Sequence, residues 1–194
     1  MAEVKVLIEG YVVMKDNELT ACSSVVLIED KKIKIVVDPG TKRKQLLKSL
    51  TNEGLKVEDI DYVVLTHYHL DHSYLAAIFS NAKLLDNTDM YIDDKIVQHD
   101  GIVPGTSIKI IQTPGHAKEH CSLVASTKKG TIVIAGDLFW RKSGEKQETS
   151  TEMLINQVDP YVKDENALKE SRKKILKIAD YIIPGHGKMF KVKK

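Results

Sequence analysis

Residues Tyr62-Val63-Val64-Leu65-Thr66-His67-Tyr68-His69-Leu70-Asp71-His72 set an apolar, β-branched run directly against three histidines and an aspartate. The first four residues read as a buried strand. The rest place three imidazoles and a carboxylate just past its end. Imidazole nitrogen and carboxylate oxygen are ligands that a divalent metal such as zinc prefers. Four such side chains within six residues therefore predict a metal-binding cluster.

Moving outward, the chain repeats this arrangement. Residues 107–112 read as a strand ending at Pro114-Gly115-His116. Residues 131–135 end at Gly136-Asp137, and Tyr181-Ile182-Ile183 ends at Pro184-Gly185-His186. Glycine and proline at such ends hold tight turns that let a side chain project past the strand edge. Four endings supply seven ligand candidates, enough for two metals with three protein ligands each and one shared carboxylate.

The remaining segments frame these endings. Residues 4–13 read as a strand bent at Gly10, and Asp16-Asn17-Glu18 as a turn. Residues 24–28 and 33–37 read as strands joined by a hairpin, so an antiparallel meander opens the chain. Thr41 is a candidate cap for a helix over 42–52, with Gly54 suited to its end. A short helix is expected over 73–79 with Ser73 as its cap. Further strands are expected at 83–85, twice within 91–97, and at 122–126. Helices are expected over 152–158 and 165–179, with a polar loop over 141–150. No internal repeat or low-complexity segment interrupts the chain.

Taken in order, His67-x-His69-x-Asp71-His72, His116, Asp137 and His186 resemble the ligand signature of the metallo-β-lactamase superfamily. The resemblance runs from the turn at Asp38 to His186. It implies an α+β fold, the four-layer αββα sandwich of metallo-β-lactamase/glyoxalase II-like hydrolases, with metals where the two sheets meet at one edge. By the same resemblance His67, His69 and His116 would bind a first metal, and Asp71, His72 and His186 a second. Asp137 would bridge both. Asp38 matches an acidic residue that orients ligands without binding metal; a plain turn aspartate is the other reading. The expected cofactor is two zinc ions per chain, with iron or manganese as alternatives.

Two cations sharing a water yield a hydroxide near neutral pH. The expected reaction is attack of that metal-bridging hydroxide on an ester, thioester or amide carbonyl of a small substrate. Asp71 and Asp137 are the expected catalytic carboxylates, Asp71 as proton acceptor. Two alternatives stand beside it. One is a phosphodiesterase or ribonuclease using the same metals. The other is a mononuclear-iron enzyme resembling persulfide dioxygenases, which share His67, His116 and Asp137. Residues 164–176, with Ala179-Asp180 and Ile183-Pro184-Gly185-His186-Gly187, resemble the subgroup containing metallo-β-lactamase domain-containing protein 1 and its prokaryotic relatives. That subgroup implies a small stand-alone hydrolase. Glyoxalase-type, inserted-nuclease and flavoprotein-fusion members need more chain than the 194 residues here.

Composition agrees with this reading. With 194 residues, 42% hydrophobic and 29% charged, the chain reads as one globular domain spanning 1–194. A net charge of only +2 gives no bulk reason to expect nucleic acid, so a small-molecule substrate is favoured over RNA, with a homodimer allowed. No signal peptide or membrane span is expected, which predicts a cytoplasmic protein without membrane contact. Cys22 and Cys121 read as reduced, partly buried thiols. Near the ligands, Tyr68, Trp140 and Arg141 are candidates to shape the pocket, and Ser73-Tyr74 to narrow it. His120 divides between orienting a ligand and filling the core. His99 and the Arg172-Lys173-Lys174 run read as surface groups.

Overall fold

A computed structural model describes residues 1–193. Its strands, in order, are β1 (Glu3–Ile8), β2 (Tyr11–Lys15), β3 (Glu18–Cys22), β4 (Val25–Asp30), β5 (Ile33–Val37), β6 (Tyr62–Val64), β7 (Lys83–Leu85), β8 (Asp89–Ile92), β9 (Lys95–Gln98), β10 (Lys109–Gln112), β11 (Cys121–Thr127), β12 (Gly130–Ile134), β13 (Tyr181–Ile183) and β14 (Phe190–Lys191). The helices are α1 (Arg43–Asn52), α2 (Leu70–Ser73), α3 (Thr151–Ile155) and α4 (Glu165–Ile178). One sheet has the order β1-β4-β5-β6-β7-β8-β9 and a second β10-β11-β12-β13-β14, while β2 and β3 form a separate ribbon.

Residues of central strands are apolar on both faces because each sheet lies between two cores. Val26 and Ile28 of β4 join Leu123, Ile132 and Ile134 between the sheets. Their neighbours Val25 and Leu27 turn the other way and pack with Leu46 and Leu50 of α1. Val133 and Ile182 of the second sheet meet Leu168, Ile175 and Leu176 of α4 on its outer face. The result is the expected α+β sandwich in αββα layers. Parallel pairing of β5 with β6, β6 with β7, and β12 with β13 sets the strand ends that carry ligands. Among the described residues, no helix is long and apolar enough to cross a membrane.

Several local expectations are corrected. The strand expected over 4–13 is two strands in different sheets, parted at Gly10, where a Cβ would overlap the Gly185 carbonyl. Glu18 is not part of a turn but starts β3; Asp16 and Asn17 alone make the hairpin turn, both at positive φ. Thr41 does not cap α1. Its hydroxyl donates to the Ala21 carbonyl at 3.3 Å, and Lys42 stands at the cap with no side-chain bond. The helix expected over 73–79 is replaced by α2, which ends at Ser73, and a separate 3₁₀ turn at Ala76–Ile78; Ser73 is no cap, its Oγ donating back to the His69 carbonyl at 3.2 Å. The basic tail carries β14, a short strand that polarity concealed. Arg172 is no solvated residue: it is 1% exposed on the inner face of α4.

Candidate metal centre

The stretch after β6 divides its four ligand-type side chains by a change of backbone. His67 and His69 lie on extended chain, whereas Asp71 and His72 lie on the turn of α2, closed by the His72 N–H on the His69 carbonyl at 3.0 Å. The His67 ring still lies 4.2 Å from that of His72, so the two pairs stay side by side. The turns after the other strands approach from the second sheet. Gly115, at φ +138°, lets Leu168 of α4 press against the His116 turn. Gly136, at φ +49°, brings Asp137 in beside Thr66 and His120.

Two groups of side chains result. His67, His69, His116 and Asp137 form one, and Asp71, His72 and His186 the other, each with donor atoms within 4.8 Å of one another. Asp137 faces both. Its Oδ2 lies 3.8 Å from His67 Nε2 and 3.4 Å from His116 Nε2. Its Oδ1 lies 3.2 Å from His72 Nε2 and 3.3 Å from His186 Nε2. Asp71 Oδ2 lies 3.3 Å from His186 Nε2.

These groups fit divalent cations. His72 Nε2 and Asp137 Oδ1 are buried with no hydrogen-bond partner among the described residues. Stranded polar atoms are costly in a protein interior, and here they converge. Electrostatics agrees. Burial opposes ionisation of Asp137, yet His186 and His72 hold its carboxyl well below the usual range. Burial alone would push His186 down, but Asp137 and Asp71 outweigh it and carry it up to about 9. His67 goes the other way: burial, then the neighbouring His72 charge, keeps its imidazole neutral.

Behind each group stands a buried carboxylate. Asp38, at φ +48°, accepts from the Thr66 N–H and hydroxyl at 2.8 and 2.7 Å and lies 2.8 Å from His72 Nδ1. Asp159 Oδ2 lies 2.7 Å from His116 Nδ1. Sequence reasoning missed Asp159. Its only local signal is Asp159-Pro160 after a helical segment, and 43 residues separate it from its histidine. His120 holds the Asp137 backbone: its Nε2 accepts the Asp137 N–H at 3.2 Å, and its Nδ1 lies 2.9 Å from the Thr113 hydroxyl.

A cleft of about 270 Å³ opens on both groups, lined by Val12, Leu19, Leu70, Trp140 and Tyr161 beside His69, Asp71, Asp137 and His186. Tyr161 stacks edge-on against Trp140, with ring centroids 5.4 Å apart, and its ring lies 6.4 Å from that of His116. Trp140 thus lines the cleft, whereas Ser73 and Tyr74 do not; Tyr74 is 66% exposed. Tyr68 points away and donates to Asp86. Arg141 lies outside the cleft, donating to Gln147 Oε1 and the Glu145 carbonyl, each at 2.7 Å. His99 is half-buried, with Nε2 3.0 Å from the Asp86 carbonyl.

Residues 22–84 match the model of the metallo-beta-lactamase superfamily. The chain is 37% identical to metallo-beta-lactamase domain-containing protein 1 of Xenopus laevis, over 97% of this chain and 81% of that one. It is 34% identical to the Mus musculus protein of that name, over 81% of this chain but only 61% of the mouse protein. Among solved structures, a metallo-beta-lactamase-like protein of Thermotoga maritima superposes with a TM-score of 0.74 at 22% identity, covering 98% of this chain and 99% of the other.

Proposed function

The chain belongs to the metallo-beta-lactamase superfamily, and from that premise we propose that it is a dinuclear zinc hydrolase of small esters, thioesters or amides. In this reading His67, His69 and His116 hold one zinc, Asp71, His72 and His186 the other, and Asp137 both. The observation that carries it is the opposed orientation of the two Asp137 oxygens, each within 3.4 Å of a histidine from a different group. Zinc at such a site lowers the pKa of a bound water and polarises a carbonyl oxygen.

The protein's own groups do the rest. Trp140, Leu70 and Leu19 give the cleft an apolar lining for a substrate's hydrocarbon part. Asp71, held ionised against burial by His186 and His72, accepts the hydroxyl proton as the tetrahedral species collapses and passes it to the departing oxygen, sulfur or nitrogen. The Tyr161 phenol, on the cleft wall, donates a hydrogen bond to the substrate oxygen that gains charge. At about 270 Å³, the cleft falls just below the usual range for small-molecule sites, about 300–1,000 Å³. No lysine or arginine lines it among the described residues, which favours a small, uncharged acyl group over a phosphodiester chain.

Metal analysis together with hydrolysis assays on thioesters, lactones, amides, phosphodiesters and RNA tests the proposal. Two zincs per chain are expected, with carbonyl hydrolysis lost on chelation and Asp137→Ala lowering both metal content and turnover. One iron per chain, or full activity after exhaustive chelation, would sink it.

A further inference from the structure

Arg172 makes an unusual set of contacts for a residue on a basic helix. It is 1% exposed, on the inner face of α4. Its Nε donates to the Leu138 carbonyl at 2.7 Å, and its Nη1 to the carbonyls of Ile155 at 3.2 Å and Gln157 at 2.6 Å. Its guanidinium carbon lies 6.0 Å from the centre of the Phe139 ring. Burying a charge is costly unless it is paired and hydrogen-bonded, so the position of these partners matters.

The partners belong to two separate turns. Leu138 directly follows Asp137. Gln157 stands two residues before Asp159, whose carboxylate meets His116. The chain from 156 to 164 has no helix or strand of its own, so its carbonyls need donors from elsewhere. Arg172 supplies donors to the start of this segment and to the Asp137 turn together.

We infer that Arg172 is a positioning residue for metal binding, fixing the Asp159 segment so that Asp159 holds His116 in the orientation the first ligand group requires. This rests on the reading that the histidine–aspartate groups hold zinc. The second group, Asp71, His72 and His186, has its own supporting carboxylate in Asp38 and meets Arg172 only through the Asp137 turn that both groups share.

Zinc affinity, measured by competition with a chromophoric chelator, separates the two dependences. His186→Ala removes one ligand candidate of the second group and leaves the first complete, and His116→Ala does the reverse. Adding Arg172→Met to His186→Ala should weaken zinc binding about tenfold or more, the scale for losing a group that orients a ligand. Adding it to His116→Ala, where only the shared Asp137 turn can carry an effect, should weaken binding at least threefold less. Arg172→Lys, which keeps the charge and one donor group, should fall between; it carries the test alone if circular dichroism shows Arg172→Met misfolded. Asp159→Asn should reproduce the first-group loss, and the Arg172→Met/Asp159→Asn pair should lose less than the sum of the two single losses. Equal losses in both backgrounds, no loss in the first, or additive losses in the pair would overturn the inference. A wild-type chain that binds no zinc would instead overturn the reading of the site itself.

Discussion

At the scale of single residues, the centre is a balance between burial and charge. In the chelated protein, His186 is raised to about 9 from an ordinary 6.5, so the folded state holds a proton there that the unfolded chain has lost. Its stabilisation is complete below about pH 6.5 and disappears as pH rises through about 9. His120 runs oppositely: burial pushes it down to about 3, so the unfolded chain binds the extra proton and stability falls as pH drops from 6.5 toward 3. Denaturant midpoints of the chelated protein should therefore peak near pH 6–7 and decline on both sides. A midpoint flat from pH 6.5 to 9 would contradict the His186 assignment. For turnover, Tyr161→Phe removes one hydroxyl from the cleft wall. It should lower kcat about 10²-fold with zinc content and fold unchanged, as steady-state kinetics and metal analysis would show. An unaltered kcat would remove the phenol from the reaction.

Among the elements, the turns at strand ends carry the tightest constraints. A Cβ at Gly185 would overlap Asp137 Oδ1 and come within 2.9 Å of His72 Cε1. Gly185→Ala should cost roughly 1–3 kcal/mol of stability by overpacking and weaken zinc binding; unfolding curves with metal titration would measure both. These turns were legible in the sequence because Pro-Gly and ligand-type residues stand together at 114–116 and 184–186. The apolar runs of β5, β6, β12 and β13 were legible for the same local reason. Less so were features whose partners lie far along the chain. Arg172 sits in a run of three basic residues, and only packing against turns 15 and 34 residues away takes it inside. Asp159 has no periodic pattern around it. The ribbon of β2 and β3 brings Leu19 to the cleft, though nothing in its sequence points at the histidines.

Across the whole molecule, sequence order and layer order coincide. Every strand of the seven-stranded sheet lies between residues 3 and 98, and every strand of the five-stranded sheet between 109 and 191. The ligand candidates divide likewise: His67, His69, Asp71 and His72 come from the first half, and His116, Asp137 and His186 from the second. Neither half owns a complete group. The centre is therefore a rivet between two independently threaded halves. A chain cut at the exposed Asp100, which lies outside any strand, should yield fragments that recombine more tightly with zinc than with chelator, as gel filtration of the co-expressed pieces would reveal. The cation would then act as the clasp of a two-piece object, making assembly of the halves and assembly of the reactive centre the same event.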